Sequence, residues 1–186
     1  MASLPETLKT KVAIKVGDNI TTDTIMPAGS QVLPLRSNIP ALSEFVFSRI
    51  KPDFHKICKD EGNVIVVGAE NYGQGSSREQ AALAPRYLGV RAKIVKSFAR
   101  IHKANLCNFG IIPLTFKDPK DYEKMDVGSS IILGGIRKYI EEGEKEIPVK
   151  VDGTTIVTLL DVSDRQRKFL LAGGALNFVR AELNQA

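Results

Sequence analysis

Two adjacent hydroxyls and a guanidinium, Ser76-Ser77-Arg78, lie within the stretch NYGQGSSREQ from Asn71 to Gln80. The stretch falls between the apolar run Val64-Ile65-Val66-Val67 and a helix-like segment, so it reads as a strand-to-helix junction where backbone N–H groups point outward. Gly73 and Gly75 permit backbone angles that other residues avoid, so the loop can turn tightly and carry Ser76, Ser77 and Arg78 into a cleft. Such a cleft suits an anion. Arg78 offers a planar fork matched to a carboxylate, and a helix N-terminus adds partial positive charge. A plain capped turn accounts for the same residues, because serine at a helix start commonly serves as an N-cap. On these residues alone both readings stand. The loop lacks the lysine of a P-loop and fits neither GxGxxG nor GxSxG, which removes phosphate-loop, dinucleotide and nucleophile-elbow chemistry from consideration.

The other chemistry-bearing side chains are sparse. Cys58 and Cys107 are far apart and form no CxxC pair, and His55 and His102 stand at no metal-ligand spacing with them or with a carboxylate cluster. The expectation is a chain with no complete metal site of its own, with two reduced thiols acting as small buried hydrophobes in a cytoplasmic setting. His102 reads as a structural hydrogen-bonder, and Thr22 and Asp23 as side chains that bond local backbone. The 186 residues are 43% hydrophobic, enough for one sizeable core and one domain. A net charge of +5 is spread among interspersed acids and bases, with no aromatic-basic interleaving, which argues against a nucleic-acid-binding module. No apolar run reaches the roughly 18 residues of a membrane span, and MASLPETLKTK has no apolar core of a signal peptide.

Positioning falls to an α/β framework. Lys11 to Val16 alternates as a half-buried strand, Gly17 to Gln31 is loop-like, and Ala41 to Ile50 has the pattern of a short amphipathic helix. Strands at Val64–Gly68, Ala92–Val95 and Ile111–Leu114 alternate with helices at Ser77–Leu88 and Ala99–Phe109, with Pro85 late in the first of these. That is a right-handed βαβαβ unit with a parallel sheet, whose ligands bind beyond the carboxyl ends of the strands, where Gly73 to Arg78 lies. Lys117 to Met125 reads as a short helix. Ser129–Leu133, Glu146–Val151 and Thr154–Leu160 read as strands of an antiparallel layer with a turn at Asp152-Gly153. Helices follow at Ser163–Ala172 and Ala175–Leu183, the first opened by a capping box of Ser163 and Gln166 and the two separated by Gly173-Gly174.

Several separate pieces resemble one family. NYGQGSSREQAALAPRYLGVRAKIVKSFARIHKANLCNFGIIPLTF, Asn71 to Phe116, resembles the C-terminal swivelling domain of aconitases, and VGDNITTDTIMPAG with LPLRSN resembles that domain's earlier loops. The likeness runs from the first strand to AGGALN, Ala172 to Asn177. Small subunits of 3-isopropylmalate and homoaconitate dehydratases share the GSSRE core, while SFARIHKANL and Arg36 within LPLRSN lean toward aconitase.

The resemblance implies a single swivelling β/β/α domain over residues 1–186, with residues 1–10 linker-like. Its three layers would be a central parallel sheet, a second mainly antiparallel sheet and flanking helices. It implies that Ser76 is the base that takes the substrate's carbon-bound proton, that Ser77 and Arg78 hold substrate carboxylates, and that Arg36 clamps a further one. It implies a 4Fe-4S cluster held by cysteines of other domains or of a large subunit, and a tri- or dicarboxylate substrate. The chain would be inactive without the cluster-bearing partner. Two positions depart from the aconitase pattern: Thr24 and Gln80 stand where histidines are usual, and Thr24 echoes the dehydratase small subunits.

Overall fold

The computed structural model describes residues 1–185. Seven strands, β1 (Leu8–Lys15), β2 (Val64–Val67), β3 (Val90–Val95), β4 (Ile112–Phe116), β5 (Ser130–Leu133), β6 (Glu146–Val151) and β7 (Thr154–Leu159), form one closed sheet in the order β1-β2-β3-β4-β7-β6-β5. Strands β1 to β4 pair in parallel, and β4/β7, β7/β6, β6/β5 and β5/β1 pair antiparallel. The parallel set and the antiparallel set foreseen as separate sheets are thus two halves of one barrel. The outer strands of the parallel set, β1 and β4, would otherwise leave a row of backbone groups unpaired, and β5 and β7 satisfy them.

The barrel divides the core in two. In β2, Ile65 and Val67 point into the barrel with Leu8, Val12, Ile94, Leu114 and Val149, while Val64 and Val66 face outward against helices. Burial on both faces is why β2 is a continuous apolar run. In β6 the alternation is clean: Ile147, Val149 and Val151 are buried, while Glu146 and Lys150 face solvent.

The helices are α1 (Thr22–Ile25), α2 (Ile39–Ser43), α3 (Phe54–Glu61), α4 (Gln80–Leu88), α5 (Arg100–Asn108), α6 (Ile136–Glu141), α7 (Asp164–Ala172) and α8 (Ala175–Leu183), with 3-10 turns at Leu33–Leu35 and Pro119–Lys124. The helix foreseen over Ala41–Ile50 stops at Ser43. Phe47 takes a left-handed conformation (φ 54°), buries its ring completely edge-on to Phe54 at 5.0 Å and donates its N–H to Ile25 O at 2.8 Å. Burying that ring outweighs continuing the helix. Helix α4 runs through Pro85 to Leu88 but opens at Gln80, so Ser76 and Ser77 precede it in a loop that bends at Gly75 and Ser76. The capping box of α7 forms as foreseen, with Gln166 N donating to Ser163 Oγ (3.2 Å) and Ser163 N to Gln166 Oε1 (2.9 Å). Strand β1 starts three residues before Lys11, and Leu4, ahead of it, is buried with its N–H on Leu171 O.

Candidate active site

Three loops leave the carboxyl ends of β1, β2 and β3 and are laced together by backbone hydrogen bonds. Gly73 N donates to Ile20 O (2.6 Å), Thr22 N to Gln74 O (2.9 Å), Tyr72 N to Ser97 O (3.0 Å) and Ala99 N to Tyr72 O (2.9 Å). The segment from Tyr72 to Gln74 therefore behaves as an added strand between its two neighbours, and Gly75, Ser76 and Ser77 project beyond it, exposed. Gly73 sits at φ 89° with its Cα flat against His102; a Cβ there would lie 2.3 Å from His102 Cδ2. Thr22 Oγ1 donates to Ser76 O at 3.0 Å and fixes the carbonyl of the first serine. The serines cap no helix: the N-cap of α4 is Glu79, which makes no side-chain cap bond.

Arg78 is half-buried and held from one side only. Its Nη1 donates to Asp23 Oδ1 (3.0 Å) and Met26 O (3.2 Å), and these bonds use only one of the three nitrogens of the fork. Asp23 also accepts Ala28 N (3.1 Å) and pairs with Arg49. The Arg78 hydrogen bond first, then the Ala28 N–H and Arg49, hold the Asp23 carboxyl below its ordinary pKa. The first loop thus does more than bond its own backbone, since Asp23 aims the arginine of the second loop. The acidic residue after two threonines was visible in the sequence; its partner, 55 positions away, was not.

Two adjoining cavities share Arg78. The first, about 240 Å³, is bounded by Gly73 to Arg78, Thr22 and the first turn of α5. The second, about 170 Å³, is bounded by Met26, Val32, Leu33, Leu42 and Gln80, with Arg36 at its wall. The structure accordingly brings Ser76, Ser77 and Arg78 to one cavity, and Arg36 shares only the second cavity with Arg78. Thr24 bonds to Thr21, its N–H donating to Thr21 Oγ1 at 3.1 Å.

His102 makes no hydrogen bond to the protein, contrary to its foreseen role; its ring packs on Gly73 and 5.6 Å from the Tyr72 ring. Burial, with Lys93 nearby, pushes its pKa well below the ordinary histidine value. Lys93, buried in β3 and bonded through Nζ to Tyr72 Oη at 2.8 Å, was not foreseen; burial pushes its amine well below the usual lysine range. Its signal was a lysine flanked by the apolar residues Ala92 and Ile94 within a buried strand.

An iron-sulfur cluster does not fit the donors of this chain. Burial raises both the Cys58 and the Cys107 thiol to about 12, the two stand in different cores, and among the described residues no three His, Cys, Asp or Glu side chains converge. Among the described residues no helix is long and apolar enough to cross a membrane.

Residues 50–119 match the family model of the aconitase C-terminal domain. A mitochondrial aconitate hydratase of Gracilaria gracilis is 46% identical over 136 residues, 71% of this chain and 18% of that protein. A probable mitochondrial aconitate hydratase of Caenorhabditis elegans is 36% identical over 192 residues, 90% of this chain and 25% of that protein. The crystal structure of a 3-isopropylmalate dehydratase from Methanocaldococcus jannaschii superimposes with a TM-score of 0.76 at 29% identity, covering 96% of this chain and 97% of that one. The chain spans between 14% and 25% of the length of the curated relatives it matches. With its mixed closed sheet and its serine–arginine loop, the chain belongs to the aconitase C-terminal domain family, shared by aconitases and the 3-isopropylmalate dehydratase small subunit.

Proposed function

We propose that residues 1–186 act as one swivelling domain or small subunit of an aconitase-type hydro-lyase, interconverting citrate and isocitrate by dehydration and rehydration. The observation that carries this is the placement of Ser76, Ser77 and Arg78 on one cavity, with Arg78 aimed by Asp23 and bordering a second cavity walled by Arg36. Ser76 Oγ would take the carbon-bound proton of the substrate, while Ser77 and Arg78 hold one carboxylate and Arg36 another. An unperturbed serine hydroxyl scarcely ionises near neutrality, so the base must be formed in a closed, dry site. There the Arg78 charge and backbone donors favour the alkoxide. Exposed as Ser76 is here, that environment has to be completed by another protein surface. The 4Fe-4S cluster of the family belongs to that surface, a large subunit or preceding domains. Two free buried thiols suit the cytoplasm or another reducing compartment.

A second reading, a small subunit of 3-isopropylmalate or homoaconitate dehydratase, is favoured by Thr24 and by the end-to-end match with the archaeal dehydratase. Mixing the chain with a cluster-bearing partner and assaying isomerisation of citrate against 3-isopropylmalate separates the two. In that assembly Ser76→Ala should lower kcat by about a hundredfold or more. Retained activity in Ser76→Ala removes Ser76 as the base.

A further inference from the structure

The residues ahead of β1 enter it at its amino end, the end of the barrel remote from the serine loop. They form no helix or strand, yet their main chain is held at four points. Asn177 Nδ2 of α8 donates to Met1 O (2.7 Å), Arg86 Nη2 of α4 to Ala2 O (3.2 Å) and Arg137 Nη1 of α6 to Leu4 O (2.7 Å), while Leu4 N donates to Leu171 O of α7 (3.1 Å). The Leu4 side chain is buried with the barrel core, and Thr7 Oγ1 accepts Gly135 N (3.2 Å) just before β1 starts. Between these clamps the segment lies on Gly173, at the corner between α7 and α8. A Cβ there would meet Ala2 O and lie 2.9 Å from Ala2 C, and one on Gly110, just past α5, would lie 2.6 Å from Gly173 O. Three stretches of main chain thus stack where only glycine leaves room.

The helices depend on the segment in turn. Arg86 is 5% exposed, its Nε has no partner, and among the described residues Ala2 O is the acceptor its guanidinium finds. Lifting the segment would strip a buried cation of that bond. Helix α8 has no fully buried residue and packs chiefly on α7 and α5, so the Asn177 bond to Met1 is a further tie to the body. We propose that Met1–Leu4 is a latch: seated on Gly173 and clamped by Arg86, Arg137 and Asn177, it holds α8 to the body, and residues 1–7 move with the barrel and contain no hinge. That the barrel swivels at all rests on the hydro-lyase reading; the latch rests on these contacts alone.

Backbone hydrogen exchange of the full chain, read by NMR, tests this with neither partner nor substrate. The wild-type Leu4 amide should exchange at least about a hundredfold more slowly than in an unstructured peptide. Gly173→Ala drives a Cβ into the Ala2 carbonyl, whereas Gly153→Ala, at a similar φ of 90° with nothing within 4 Å of its Cβ, carries the backbone strain without the contact. The first should speed exchange of Leu4 and of the α8 amides from Phe178 on together, by about tenfold or more, and the second should speed neither. Arg137→Met, made on α6, removes only the clamp on Leu4 O and the Arg137 ion pairs with Glu6 and Glu141. It should speed Leu4 about tenfold, the worth of one hydrogen bond from a charged group, with the α8 amides following, and it serves where Gly173→Ala fails to fold. A wild-type Leu4 amide exchanging at the peptide rate would make the segment a hinge and overturn the latch. So would α8 amides that keep their wild-type rates while Leu4 loosens, or a Gly153→Ala effect on Leu4 equal to that of Gly173→Ala. An assembly inactive on every hydroxy acid would remove the hydro-lyase reading and leave these rates as they are.

Discussion

Gly73→Ala probes the fit between the serine loop and α5. The added Cβ meets His102 at three atoms, Cδ2 at 2.3 Å, Cγ at 2.4 Å and Cβ at 2.6 Å, and the last of these is anchored to a helix backbone that cannot swing aside. His102 is itself buried against Tyr72, so its ring has nowhere to go. Overpacking of this kind costs about 1–3 kcal/mol, and placing alanine at φ 89° adds about 1–2 kcal/mol. The sum, about 2–5 kcal/mol, should lower Tm by about 5–15 °C for a chain of this size. The assay is urea unfolding of four proteins: wild type, Gly73→Ala, His102→Ala and the double variant. Removing the imidazole relieves the Cδ2 and Cγ contacts but leaves the Cβ contact and the backbone strain, so the double variant should be less destabilised than the sum of the singles by about 1–2 kcal/mol. A single variant within about 0.5 kcal/mol of wild type, or strictly additive effects, refutes the close packing of loop on helix.

Two other measurements follow from buried titratable groups. The folded Lys93 amine has its pKa pushed well below the ordinary value near 10.4, so the unfolded chain binds the extra proton in the interval between the two values. Stability should therefore rise with pH across that interval, by up to about 1.4 kcal/mol per pH unit, and level off above the unfolded value. Lys93→Met should flatten the rise, and an unchanged slope in denaturant-melt stability against pH would show that the amine is not the source. Cys58 and Cys107, with thiols raised to about 12, should resist a water-soluble thiol reagent at mildly alkaline pH while folded and titrate as two equivalents in denaturant; rapid native modification of either contradicts their burial.

Much of the frame was legible because its signals are local. The apolar runs at Val64, Ala92 and Ile111 gave three strands of the parallel half, and Ser163 with Gln166 marked the start of α7. The clustering of Ser76, Ser77 and Arg78 followed from adjacency in one loop. What escaped depends on contacts between distant segments. Helix α3 carries Phe54, Ile57 and Cys58 at helical spacing, yet it is only eight residues long and follows the turns around Phe47, whose conformation is set by packing on Ile25 and Phe54. Closure of the sheet rests on two short pairings, β4 with β7 and β5 with β6, of two residue pairs each, too brief to print a pattern in either strand. The Asp23–Arg78 pair joins residues that no short sequence window contains.

A sheet closed on itself leaves little strand edge to a visitor. In the proposed assembly another protein surface would meet it chiefly through side chains and loops rather than by adding a strand to its ladder. Those loops are stitched to each other by main-chain bonds and rooted in the stiff parallel half, so the serines and Arg78 travel as one piece. If the chain works as the proposed swivelling domain or small subunit, approach to and withdrawal from its partner is a matter of rim contacts made and broken. It requires no partial unfolding, and its strength can be tuned by surface substitutions that leave the barrel untouched.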